Sequence, residues 1–136
     1  MHPRIVELTK ALKKNPGADE NALSETISSL GAGLPADYVE FLRSTNGAEG
    51  PVGGKSYVSV WPVEEVKVLN EEYAVNEFAP GLLLFGSDGG DTGYAFDTRS
   101  EEERVVEVPL IGMSLDAVPP RGRSLADFFE YLARQD

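Results

Sequence analysis

The sequence predicts a single α+β domain: an antiparallel sheet flanked by N-terminal helices and a C-terminal helix. Three observations carry that prediction. Up to Gly47, apolar residues recur at helical three-and-four spacing between polar caps. Between Ser56 and Leu110 they gather into short alternating or continuous runs divided by Gly/Asp turns. After Ser124 the helical spacing returns.

The elements follow in order. Pro3 to Lys14 reads as a first helix with Ile5, Leu8 and Leu12 on one face, stopped by Asn15-Pro16-Gly17. Asp19 is placed to cap a second helix bearing Leu23, Ile27 and Leu30 and ending at Gly31. Leu34 to Gly47, LPADYVEFLRSTNG, is a third complete unit. Pro35 suits a first turn, where its missing N–H has no partner to lose. Tyr38, Phe41 and Leu42 form the buried stripe, and Asn46-Gly47 supplies a C-cap that tolerates positive φ.

Beyond Gly50-Pro51, Ser56 to Trp61 has the alternation and β-branched content of a strand. Pro62 opens a short helix with Val66, Leu69 and Tyr73 on one side and glutamates on the other. Leu82–Phe85 and Tyr94–Phe96 are short apolar runs joined by the glycine-rich stretch 86–93, which predicts a hairpin with positive φ at one or more of Gly89, Gly90 and Gly93. Arg104 to Leu110 reads as a further strand. Ser124 caps the last helix, with Asp127 three positions on and Leu125, Phe128, Phe129 and Leu132 buried.

At 136 residues the chain reads as one domain, 1–136, large enough to bury a core without disulfides or metals. It has no cysteine, which excludes disulfide frameworks, zinc ribbons and thiol nucleophiles. Charges interrupt the apolar residues of the N-terminus, and no run approaches the roughly 20 residues that span a bilayer, so a cytoplasmic protein without a membrane partner is expected. Twelve basic and twenty-three acidic residues give a net charge of −11. Residues 64–107 carry twelve acids and three bases, a net of −9, whereas residues 1–36 are balanced at four of each. Such a chain repels nucleic-acid phosphate and suits a basic surface.

Catalytic and cofactor motifs fail on inspection. The single histidine, His2, sits at the terminus, which argues against Ser-His-Asp and histidine-ligated metal sites. Gly54-Lys55-Ser56 ends like a phosphate-binding loop, but Glu49 stands where that motif needs glycine, and the flanking elements are in the wrong order. Gly86-Ser87-Asp88-Gly89 lacks the glycine two before the serine, where Phe85 stands. Asp88, Asp91 and Asp97 match no EF-hand spacing, and tight-turn chemistry explains them. With twenty-three carboxylates, no single acid/base pair stands out. No cofactor is expected.

Four stretches resemble, in order, the landmarks of the SUKH superfamily, which holds yeast cell-wall synthesis regulators and many bacterial toxin-immunity proteins. The first is LPADYVEFLRSTNG. The second is Trp61-Pro62-Val63-Glu64-Glu65-Val66 with Asn70 and Tyr73. The third is Phe85-Gly86-Ser87-Asp88-Gly89-Gly90-Asp91 leading into Tyr94-Ala95-Phe96-Asp97. The last is Ser124-Leu125-Ala126-Asp127-Phe128-Phe129. The resemblance covers most of residues 20–133 and implies an α+β protein-binding domain with no shared catalytic site, whose bacterial relatives often neutralise toxins, many of them nucleases. Two functional readings follow: an immunity module meeting a basic toxin domain, or a regulatory scaffold of the cell-wall-regulator type. A small hydrolase ranks behind both. The expected contacts with a basic partner are Glu71, Glu72, Asp88, Asp91, Glu101, Glu102 and Glu103, chosen for predicted turns or a polar helix face.

Overall fold

The computed structural model describes residues 2–30 and 34–135. Its elements are α1 (Pro3–Leu8), β1 (Lys13–Lys14), α2 (Glu20–Leu30), α3 (Ala36–Ser44), β2 (Ala48–Val52), β3 (Ser56–Val60), α4 (Val63–Glu72), α5 (Val75–Phe78), β4 (Leu82–Ser87), β5 (Thr92–Asp97), β6 (Val105–Pro109), β7 (Pro120–Gly122) and α6 (Leu125–Ala133). The strands form one antiparallel sheet in sequential order, β1 through β7, with helices at both ends of the chain. This is the α+β class the sequence predicts.

Strands β4 and β5 are buried along almost their whole length, and the aromatic part of the core gathers around them. Tyr94 and Phe96 alternate along β5 and meet Phe85 of β4, Tyr38 of α3 and Phe128 of α6. Phe85 and Phe96 stack at 4.4 Å, Phe96 and Tyr38 lie 4.9 Å apart, and Phe41 reaches Phe129 at 5.9 Å. Phe41, Leu42 and Phe128 are fully buried, as their helical spacing predicts. Interlocked rings at these distances favour tilted and offset contacts, so the cluster has a specific geometry beyond its buried area.

The helix predicted over 3–14 stops at Leu8. Thr9 turns the chain, its hydroxyl donating to the Ile5 carbonyl at 2.7 Å, and Lys13 and Lys14 pair with Glu49 and Ala48 of β2. Leu12 stays buried nonetheless. Asp19 caps α2 as expected, accepting from the Ala22 N–H at 3.2 Å; the expected stop at Gly31 lies outside the described residues. Strand β2 runs through Gly50-Pro51, which composition reads as a break. Five register pairs with β3 hold it extended. The reversal between β4 and β5 is tighter than the predicted 86–93 loop, since Gly86, Ser87 and Gly93 all sit in strand pairs.

Local signals thus become tertiary clasps. Helix α3 ends at Ser44 with an extended Thr45 as its C-cap, so Asn46-Gly47 lies beyond the helix end it was expected to cap, and Asn46 serves a different helix. Its Oδ1 accepts from the Val63 N–H at 2.8 Å and its Nδ2 donates to the Glu64 carboxylate at 2.9 Å, so it caps α4. Gly47, at φ +92, passes so close to β3 that an added Cβ would lie 2.8 Å from the Pro62 nitrogen. Asn70 fills the gap where β3 diverges from β4: its amide donates to the Leu84 carbonyl and accepts from the Leu84 N–H, both at 2.9 Å, in place of a strand neighbour. Asp37 accepts from the Leu125 N–H at 2.9 Å, while Ser124 caps the same helix through the Asp127 N–H at 3.1 Å.

Candidate functional site

The pleat of β3 sends Val58 and Val60 into the core and Tyr57 and Ser59 to the opposite face. Pairing then lines Ser59 up with Glu49 of β2 and Ser87 of β4. Leu69 of α4, Tyr73 at the cap of that helix, the 88–90 turn and Leu110 complete the lining of a cavity of about 540 Å³. A second lobe of about 370 Å³ shares Glu49, Ser59, Trp61 and Leu69 with it and extends to Lys13 and Glu65. The result is a two-lobed groove of aromatic rings and carboxylates.

Its central ring is held in place. The Tyr57 hydroxyl donates to the Glu49 carboxylate at 3.0 Å. That hydrogen bond is the main reason the Tyr57 phenol is held above its usual range, with desolvation and the Glu49 charge adding to it. The ring rests on Gly89: a Cβ there would sit 3.1 Å from Tyr57 Cδ1, and φ is +85. The turn that carries Gly89 is fixed by Asp88, whose Oδ1 accepts from the N–H groups of Gly90 at 2.8 Å and Thr92 at 3.2 Å. Ser87 Oγ accepts from the Gly89 N–H at 3.2 Å.

The seven carboxylates singled out from sequence do not converge. Asp88 lines the groove and Asp91 is exposed in the same turn. Glu101, Glu102 and Glu103 are exposed beyond the other end of β5, about 20 Å away by strand rise. There Glu102 pairs with Arg104 at 3.3 Å. Glu71 and Glu72 are exposed at the end of α4, where Glu71 borders a separate cavity of about 490 Å³ together with Lys67 and Thr98. Glu49, Tyr57, Trp61 and Tyr73 were missing from the sequence-based set. Strand register alone brings Glu49 beside Tyr57, and the Gly-Pro in β2 hid that strand.

Asp97 sits at the far end of β5 from Asp88 and is engaged by Arg99 in two contacts, at 3.0 and 2.8 Å. The Arg99 hydrogen bond holds the Asp97 carboxyl below its usual range. Among the described residues no three histidine, cysteine or acidic side chains gather to hold a metal ion. None of the helices among them is long and apolar enough to cross a membrane.

Comparison with known proteins adds one finding. No curated protein matches the chain. The chain matches the SMI1 / KNR4 family (SUKH-1) over residues 17–131, which takes in all four landmark stretches. With that span matched, and with the landmarks serving as the clasps of an α+β fold, the chain belongs to the SMI1 / KNR4 family (SUKH-1).

Proposed function

We propose that this chain is a non-catalytic protein-binding module that neutralises a basic toxin domain, acting in the cytoplasm as an immunity protein. Family membership supports the binding role. The carrying observation is uncompensated surface charge. Arg4, Arg43, Arg99, Arg104, Arg121 and Arg134 are already engaged in ion pairs within the fold. Glu71, Glu72, Asp91, Glu101 and Glu103 are exposed and form no ion pair among the described residues. A basic partner supplies the missing countercharge, speeds encounter and makes binding fall with salt. A nuclease toxin, whose own substrate is anionic, has such a surface.

The test is protection from a toxin domain encoded beside this gene. Co-expression is expected to restore growth, and the purified pair is expected to associate more slowly as salt rises. Glu71→Lys with Glu72→Lys is expected to slow association several-fold with the fold intact. Failure to protect, together with a neighbourhood of cell-envelope genes, assigns the chain to the regulatory class instead.

A further inference from the structure

The aromatic groove is walled by the third landmark turn, Ser87 to Gly90, with Tyr57 beside it. We infer that this groove is the seat for an arginine side chain of the basic partner; the inference rests on the binding role proposed above and names its surface. Four features agree. Tyr57 is 44% exposed, so part of its ring is open. It is also immobilised, by the Glu49 carboxylate at its hydroxyl and by Gly89 against its ring. Tyr73, half-buried, lines the same cavity, and Trp61 lines it with the small part of its ring that the core leaves open. Glu49 and Asp88 set carboxylates at its margin, and Glu65 stands in the adjoining lobe. A guanidinium stacks on aromatic faces and takes carboxylates with its edge donors, so it uses both elements at once. A lysine ammonium is more strongly hydrated and offers no flat face, so it gains less. Rings already fixed before binding lose little freedom when the guest arrives.

Trp61 is the only tryptophan, which makes the groove report on itself. The probes are a synthetic arginine–glycine repeat peptide and its lysine counterpart, titrated at low salt. The arginine peptide is expected to shift Trp61 emission and move the NMR signals of the Trp61 indole and Tyr57 ring, with the lysine peptide several-fold weaker. Tyr57→Ala and Glu49→Gln are each expected to weaken the arginine peptide about fivefold. Glu25→Gln, an equal loss of charge on α2, is expected to change nothing. Should Tyr57→Ala unfold, Glu49→Gln carries the test, since Glu49 is exposed. If Glu25→Gln weakens binding as much as Glu49→Gln, the attraction is diffuse charge and the groove assignment is overturned. If signals move at 101–103 and leave Trp61 still, the groove fails while the basic-partner reading stands. If neither peptide binds at low salt, both fail. A concentration-dependent shift of Trp61 without peptide gives the groove to a second copy of this chain and overturns the proposal.

Discussion

Strand β3 divides two sets of aromatic rings. On one side Tyr38, Phe41, Phe85, Phe96 and Phe128 are buried, and each has another ring as its neighbour. On the other side Tyr57 has a carboxylate at its hydroxyl and a glycine beneath its ring, with the remainder of the ring exposed. The residue types barely differ. What differs is the surroundings: the inner rings stand on α3, β4, β5 and α6 and pack on one another, whereas the pleat of β3 turns Tyr57 away from the side on which Val58 and Val60 are buried. The first set supplies burial that stabilises the fold; the second leaves apolar area and charge exposed. Aromatic content alone therefore says little about a site until the fold assigns each ring to its surroundings.

The largest test of that contrast lies in the inner set. Phe41→Ala is expected to cost about 3–5 kcal/mol in a urea titration, because nothing nearby can collapse into the space of a ring already packed by rings. A loss near zero would remove the inner set from the core. On the outer side, Gly89→Ala is expected to cost about 2 kcal/mol, because alanine strains at φ +85 and its methyl presses on Tyr57. Gly90→Ala should be far milder: its φ is not positive, and the added carbon meets only Asp88 Oδ1 at 3.4 Å. Equal costs at the two glycines would show that the turn does not brace the ring.

The smallest effect separates the two faces by pH. Burial pushes the Tyr38 phenol well above its ordinary value of about 10, so the folded chain keeps a proton that the unfolded chain releases. The stability from this group is complete below that ordinary value and declines as pH rises, by about 1.4 kcal/mol between neutrality and pH 11. Burial raises Tyr94 in the same direction, so the comparison is between wild type and Tyr38→Phe, which should lose the Tyr38 share of the decline. Its hydroxyl has no hydrogen-bond partner among the described residues, so Tyr38→Phe should leave stability at neutral pH unchanged or slightly higher. Tyr57 is raised as well, by its hydrogen bond to Glu49, so Tyr57→Phe should remove a share of the alkaline decline too, but a smaller one than Tyr38→Phe because its half-open ring is screened by solvent.

Much of the chain was legible where local and tertiary preferences agreed. Ser124 and Asp19 cap their helices in the way their side chains allow, and Gly47 and Gly89 take the positive φ that turns there require. The errors fall where pairing overrode local preference. Local spacing reads Lys13 and Lys14 as helix, but β2 offers hydrogen-bonding groups that an extended pair satisfies. Pro51 reads as a loop residue and lies in a strand because β3 pairs along its length. Pro120–Gly122, to which the sequence reading assigns no element, pairs with β6 for the same reason, and the four-residue α5 is too short for any periodicity to reveal. Of the proposed contacts, Asp88 alone borders the groove, because choosing carboxylates by turn composition carries no information on which ends of a strand they occupy.

By itself the sequence determined the class of the fold, the residues of its core, its caps and its acidic balance, because these depend on spacing within a few residues of each other and on composition. Only the tertiary structure decided that Asn46 caps a helix other than its own, that Asn70 stands in for a missing strand, and that Glu49, Tyr57 and Asp88 share one groove. Those contacts join residues far apart in the chain. They depend on which strand edges remain unpaired and on the register in which the others meet, and both are set only when the whole sheet assembles.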